Sequence, residues 1–523
     1  MTYGYNTFRK KLLKEQKHQV YVAGIVNKVT QTNNKTNLLE EADLETVIAQ
    51  ATSTDKWETL SYNAPILPIH AALLRTGKVF FFCGSGNNSA RLNTPYDSVV
   101  WDVNQGTFSR QTPPLDSNNQ PIDLFCAGHS FRPDGMLMVA GGTLRYDPFY
   151  GSPSALMFDP ITEKWVKRPP MNNGRWYPTV LTLGSGRILA VSGPDKDGKL
   201  NKQPEIYSAF FPNGWNAFPI TSPLPPYAHL FLLSSGKIFY SGAQMGSNYG
   251  VAPRILTLPE TFTQSITETV VPGLQAPAFG DQAASVILPP AQDQKVMIIG
   301  GGSGKTATNR VNIIDLKATN PTYVAAQPLN YARMHHSAVL LPDRTVFVCN
   351  GSTMYEDIAK SMLPAEIYNP ATNTWTVVAK QNVPRVYHSV ALLLPDGRVA
   401  IAGGNPRRTV DELRLEIYTP AYVSRPRPII QSVPETLNYK LRFTIQTPQA
   451  ANIKWVSLIK PMATTHSCDT EQRLVDISIT SRNATSLNLT VTDNRNIAPP
   501  GWYMLFITDN NGTPSVATWV KVF

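Results

Sequence analysis

Cysteine is scarce in this chain. Cys83, Cys126, Cys349 and Cys468 are the four in 523 residues, and no two stand in a CxxC spacing. That argues against a zinc site and against a dense disulfide framework. Charged residues make up only 16%, and the basic ones are scattered apart from the short clusters Arg9-Lys10-Lys11 and Arg407-Arg408. No recognition-helix or zinc-finger pattern accompanies the formal charge of +10, so nucleic acid is not an expected partner. The excess reads as a solvated basic surface, with weak binding to an acidic cell-surface polymer as the other reading. No apolar run approaches the length of a membrane span. Residues Met1 to Lys17 are polar and basic and lack the apolar core of a secretory signal. A leader outside this sequence, an internal location and another export route each fit that N-terminus.

What the chain does have is 33 glycines, 43 prolines and many Val, Ile, Thr and aromatic residues, the composition of a loop-rich β-protein. Its length exceeds one ordinary core and implies two or three domains. One stretch sets the pattern. Tyr387-His388 leads into the apolar run Ser389 to Leu394, which stops at Pro395-Asp396-Gly397 and resumes as Val399 to Gly404. Apolar runs bounded by turn residues read as buried strands, and Asp-Gly between two of them reads as a hairpin. Similar units begin near Ala71, Phe131, Val180, Leu230, Ala284 and Ala338. Seven copies about fifty residues apart have the period of kelch-type propeller blades.

Second signatures such as Val99-Trp101-Asp102, Glu205-Ile206-Tyr207 and Glu366-Ile367-Tyr368 follow the hairpins and supply the third and fourth strands of each blade. Lys56-Trp57-Glu58-Thr59-Leu60 is expected to close the ring as the outer strand of the last blade. The fold class expected is all-β. A polar, partly helical extension covers residues 1–54, and a seven-bladed β-propeller residues 55–423. An immunoglobulin-like sandwich follows over 424–523, after the junction Arg425-Pro426-Arg427-Pro428.

In such a ring the residues leading into the inner strands line one mouth. Nine positions before Gly135, Gly186 and Gly397 lie Cys126, Tyr177 and His388; the same count from Gly236 and Arg344 reaches Tyr227 and His335. Each alone has a plainer explanation: a small buried thiol, a packed phenol, a hydrogen-bonded core imidazole. Their convergence by architecture is what points to chemistry. Imidazole and phenolate with an open position suit Cu(II), which prefers tetragonal N,O ligation.

At Phe125-Cys126-Ala127-Gly128, Arg175-Trp176-Tyr177-Pro178, Arg385-Val386-Tyr387-His388 and Thr465-His466-Ser467 with Glu471-Gln472-Arg473, the chain resembles the kelch-propeller copper radical oxidases, galactose oxidase and glyoxal oxidase. The likeness runs from about Lys56 to Phe523. It implies a copper ion held by Tyr177, Tyr387, His388 and His466. It also implies a radical cofactor made by a thioether between Cys126 and Tyr177, with Tyr387 as the catalytic base. His466 would arrive on a loop of the C-terminal domain.

The sequence departs from galactose oxidase in three places. No sugar-binding domain precedes the propeller, no arginine stands in Pro223 to His229, and Gly193-Pro194-Asp195-Lys196 lacks a tryptophan to cover the linked tyrosine. The expected substrates are therefore small aldehydes, as hydrates, or simple primary alcohols, with O2 as co-substrate and H2O2 as product. Trp176, Tyr227, His229, His335 and His336 are the candidates for the pocket wall. The resemblance further implies an extracellular or cell-envelope location, and a monomer is expected. The rival reading is a propeller that binds glycans or proteins without catalysis; it predicts a missing ligand, and none is missing.

Overall fold

The computed structural model describes residues 55–91, 97–146, 148–246, 250–275, 280–303 and 306–523. The extension 1–54, read as partly helical, lies outside them. Among the described residues, seven sheets share one plan, an antiparallel meander of four strands. Sheet 1 starts with His70–Leu73, sheet 2 with Gly128–Phe131, sheet 3 with Thr179–Thr182 and sheet 4 with Leu230–Leu232. Sheets 5, 6 and 7 start with Ala284–Ile287, Ser337–Leu340 and Ser389–Leu393.

Within each sheet burial grades outward. The first two strands of sheet 1, His70–Leu73 and Val79–Phe82, are buried throughout, while its fourth, Thr107–Arg110, is largely exposed. That gradient explains the sequence pattern: doubly covered inner strands read as unbroken apolar runs, and only the outer ones alternate. First strands lie side by side, Ser337–Leu340 between Ala284–Ile287 and Ser389–Leu393, and Ser389–Leu393 beside His70–Leu73. Lys56–Asn63 pairs antiparallel with Arg414–Thr419, Trp57 opposite Tyr418. The strand ahead of sheet 1 thereby completes sheet 7, as the sequence led one to expect.

After a short 3₁₀ turn at Ala421–Ser424, a five-stranded and a three-stranded sheet enclose a core that includes Ile445, Val456, Leu458, Leu487, Leu505 and Ile507. This is the β-sandwich. Arg427 anchors it beneath sheet 7, its Nε donating to Pro514 O at 2.7 Å and its Nη1 to Asp396 O at 2.6 Å.

One hairpin of the sandwich leaves it and enters the ring. Ala463–Thr465 pairs with His70–Leu73, His70 opposite Thr465, and Cys468–Asp469 pairs back on it, extending sheet 1 to six strands. The segment that follows grips several inner strands at once. Thr470 Oγ1 donates to Val180 O at 2.7 Å, and Ser130 Oγ donates to Glu471. Gln472 takes the Leu340 N–H at 3.0 Å and donates to Ala338 O at 2.9 Å. The finger is thus tied by polar side chains to the inner strands of several sheets.

Candidate metal centre

The mouth residues share an unusual backbone. Cys126, Tyr177, Tyr227, Gln282, His335 and His388 have φ of 60°, 60°, 44°, 54°, 57° and 64°, the left-handed region that side-chain-bearing residues seldom occupy. Each stands just before the first strand of sheets 2 to 7. Backbone bonds link neighbours: Tyr177 N donates to Cys126 O at 2.9 Å, Tyr227 N to Tyr177 O at 2.9 Å, and His335 N to Gln282 O at 3.0 Å. Sheet 7 carries one residue more than its counterparts. Arg175 and Arg333 precede Tyr177 and His335 by two positions, whereas Arg385 precedes His388 by three. That extra residue is Tyr387. It explains how two consecutive side chains both reach one spot.

His466 comes from the finger. It and Ser467 form the two-residue turn between Ala463–Thr465 and Cys468–Asp469, with φ of 50° and 63°. Both values are positive, as a type I′ hairpin requires, where Asn-Gly would be the relaxed choice.

These elements bring Cys126, His388 and His466 together with their donor atoms all within 4.8 Å of one another. Cys126 Sγ is 3.8 Å from His466 Nε2. The hydroxyls of Tyr177 and Tyr387 are hydrogen-bonded to each other, and Cys126 and Tyr177 belong to one buried cluster. The His466 ring lies 4.9 Å from Tyr177, 5.3 Å from Tyr387 and 4.6 Å from His388, centroid to centroid.

Hydrogen bonds fix which imidazole nitrogen is bare. Thr465 Oγ1 gives its proton to Ile69 O at 3.0 Å, so at 2.6 Å from His466 Nδ1 it accepts. His466 therefore carries its proton on Nδ1 and leaves Nε2 as a lone pair. Asn405 Nδ2 donates to Arg407 O, Val410 O and Asp411 Oδ1. Its Oδ1, 3.3 Å from His388 Nδ1, then takes the His388 proton. His388 Nε2 is buried and has no protein partner. Two neutral imidazoles, each oriented by an acceptor behind it, are what a metal site needs.

Burial keeps the donors uncharged in the absence of a cation. It pushes His388 down to about 3, and it holds His466 well below the ordinary value, helped by His388 and His70. It raises the Tyr177 and Tyr387 phenols well above theirs, with the Cys126 sulfur adding to both. A cation arriving here must displace a phenol proton. Tyr387 and Trp176 are only half-buried, so the centre opens on their side.

The remaining pocket candidates separate. Trp176 lies flat on Tyr177, centroids 3.8 Å apart at 15°, and Phe149 lies on Trp176 at 4.2 Å and 8°. The cover absent from Gly193 to Lys196 thus comes from the residue next to the tyrosine. Arg408 sits 5.5 Å over the Phe149 ring. Tyr227 packs 4.6 Å from Tyr177 and donates to Ala127 O at 2.8 Å. His335 lies 5.3 Å from Tyr387 and 5.7 Å from Tyr355. His229 and His336 go into the sheets' own packing: His229 Nδ1 is 2.9 Å from Ser285 Oγ, and His336 abuts Gly300 and Gly351. Cys468 is buried and lines a small cavity with His129, Tyr227 and Thr465.

Phe149, Gln282, Tyr355 and Asn405 were not legible beforehand. Gln282 escapes the nine-residue count because a 3₁₀ turn at Ala291–Asp293 lengthens the sheet 5 hairpin. The other three lie in loops, which carry no period.

Comparison with known proteins agrees with this architecture. Residues 269–422 match the family model described as glyoxal oxidase N-terminus, and residues 427–522 match galactose oxidase-like, early set domain. Galactose oxidase of Gibberella zeae is 27% identical over 495 residues, spanning 88% of this chain and 69% of that protein. Aldehyde oxidase GLOX of Vitis pseudoreticulata is 26% identical over 532 residues, spanning 91% and 98%. Among solved structures, a fungal alcohol oxidase of the AA5 family in complex with copper superimposes with a TM-score of 0.77. It is 23% identical and covers 90% of this chain and 99% of its own.

Proposed function

We propose that this chain, a homologue of galactose oxidase and glyoxal oxidase, is a copper oxidase of small aldehydes, taken as hydrates, or of simple primary alcohols. The reactions are RCH(OH)2 + O2 giving RCO2H + H2O2, and RCH2OH + O2 giving RCHO + H2O2. The observation that carries this reading is the meeting of Cys126, Tyr177, Tyr387, His388 and His466 at one buried point. Two bare imidazole nitrogens and two phenol oxygens fit a cupric ion better than a zinc or calcium ion. Bound there, copper supplies a one-electron acceptor and acidifies a hydroxyl beside it.

The residues divide the remaining work. His388 and His466 hold the ion in fixed orientation through Asn405 and Thr465. Tyr387, at the open side, takes the substrate's hydroxyl proton. Tyr177 would join the Cys126 sulfur through a ring carbon, the S–H and ring C–H hydrogens passing as two protons and two electrons to O2. A phenol bearing sulfur is easier to oxidise, so this ring holds the second oxidising equivalent and removes a hydrogen atom from the substrate carbon. Trp176 and Phe149 cover its face against water. Pro223 to His229 offers no guanidinium for a sugar, which favours small substrates. An extracellular or envelope location accords with peroxide release and is tested by cell fractionation.

A peroxidase-coupled screen of the copper-loaded protein over aldehydes, primary alcohols and sugars tests the reading. Peroxide should form with small aldehydes or alcohols and exceed that from galactose. Silence across all three classes would reject it.

A further inference from the structure

A polar atom enclosed by protein without a partner has given up its water for nothing, so such atoms point to something that fills them. Two occur on adjacent positions of the mouth ring. Gln282 Oε1 and His335 Nε2 are both buried and both lack a hydrogen-bond partner. Each residue is 4% exposed. Each sits in the left-handed region, and His335 N is bonded to Gln282 O, so the pair is held as a unit. Other ring positions are occupied differently. The Tyr227 hydroxyl is spent on Ala127 O, and Cys126, Tyr177 and His388 face the metal centre.

His335 also lies beside the phenol a substrate must approach, and Gln282 is its neighbour on the ring. The His335 ring lies 5.3 Å from Tyr387 and 5.7 Å from Tyr355. It is on the open side, beside the phenol assigned as base. The His335 imidazole is buried, an environment that favours its neutral form. An amide oxygen that only accepts and a neutral imidazole nitrogen together suit an O–H group. They do not suit a carboxylate, which the amide oxygen would repel.

We propose that Gln282 and His335 form the subsite for the second hydroxyl of an aldehyde hydrate. This rests on the oxidase reading above. A geminal diol carries two hydroxyls on the reacting carbon. One loses its proton to Tyr387, and the other needs a separate partner. A primary alcohol has no second hydroxyl and leaves both atoms unfilled. A site built to hydrogen-bond a hydroxyl discriminates against the analogue lacking it far better than a site merely shaped for it.

Hydrated acetaldehyde and ethanol differ by that one group. With copper-loaded protein, Gln282→Leu and His335→Phe should each lower the acetaldehyde-to-ethanol ratio of kcat/KM about tenfold, the loss of one hydrogen bond. His335→Gln, which keeps a polar atom, should recover part of it. A ratio unchanged in all three variants would overturn the subsite. Binding to copper-free protein, followed by fluorine NMR, gives a readout independent of turnover. Trifluoroacetaldehyde hydrate should bind wild type more tightly than trifluoroethanol, and the variants should lose that preference; equal binding in wild type would also overturn it. If wild type makes no peroxide from either substrate, the oxidase reading fails, and the fluorine experiment still decides the subsite.

Discussion

Six mouth residues held at positive φ cost on the order of 1–2 kcal/mol each relative to relaxed backbone. A structural ring would use glycine there. Cys126, Tyr177, Tyr227, Gln282, His335 and His388 instead keep functional side chains at the same repeat position, which is strain retained for aim. Tyr387→Phe removes the base but not the imidazoles. It should retain copper, measured by metal content, while kcat falls roughly 10²–10⁴-fold, the usual worth of a positioned base. Copper loss in parallel would show that the ion depends on Tyr387 as a ligand, and the fall in kcat would then not measure a base. Trp176→Leu uncovers the face of Tyr177. After oxidation of the copper-loaded protein, the tyrosyl absorption should decay faster than in wild type; an unchanged lifetime would mean that Trp176 is packing alone.

Three elements are braced the same way. Arg175–Glu205, Arg333–Glu366 and Arg385–Glu416 are ion pairs with no side-chain exposure, at 2.8, 2.9 and 3.2 Å. Each ties the mouth of a sheet to its third strand. Removing one partner of such a pair strands a buried charge and costs about 3–5 kcal/mol. Glu416→Ala and Glu366→Ala should therefore lower the urea midpoint comparably. Only Glu416→Ala, which loosens the segment bearing Tyr387 and His388, should also weaken copper binding; equal effects on copper would contradict this division. The strands themselves were legible because burial writes unbroken apolar runs and turns write Asp-Gly or Ser-Gly. The five central residues were legible because four short motifs carry them. Gln282 and Asn405 were not, since a hairpin insertion and an aperiodic loop break the count. The stack of Trp176 on Tyr177 is a matter of side-chain direction that neighbouring letters do not encode.

Across the whole molecule, the seven histidines among the described residues are all buried and all depressed, His129 to about 4 and His229, His335 and His388 to about 3. In the unfolded chain they titrate near 6.5. Below that pH the unfolded state binds protons that the folded state refuses, so stability is lost as pH falls. Raised carboxyls work in the opposite sense and offset part of this uptake, among them Asp123 at about 6 and Asp281, Glu356 and Asp469 at about 7, with Asp343 and Asp411 raised as well. The copper-free protein should thus lose stability as pH falls from about 6.5 towards 4, where the histidines of the unfolded chain take up protons. Copper, bound through two of those imidazoles, should move the acid transition lower. Identical transitions with and without metal would exclude His388 and His466 as its ligands. The most direct measurement is peptide mapping after copper loading in air. Cys126 and Tyr177 should be recovered in one joined species, two hydrogens lighter than its separate peptides. Separate peptides, with Cys126 still open to alkylation, would contradict the account.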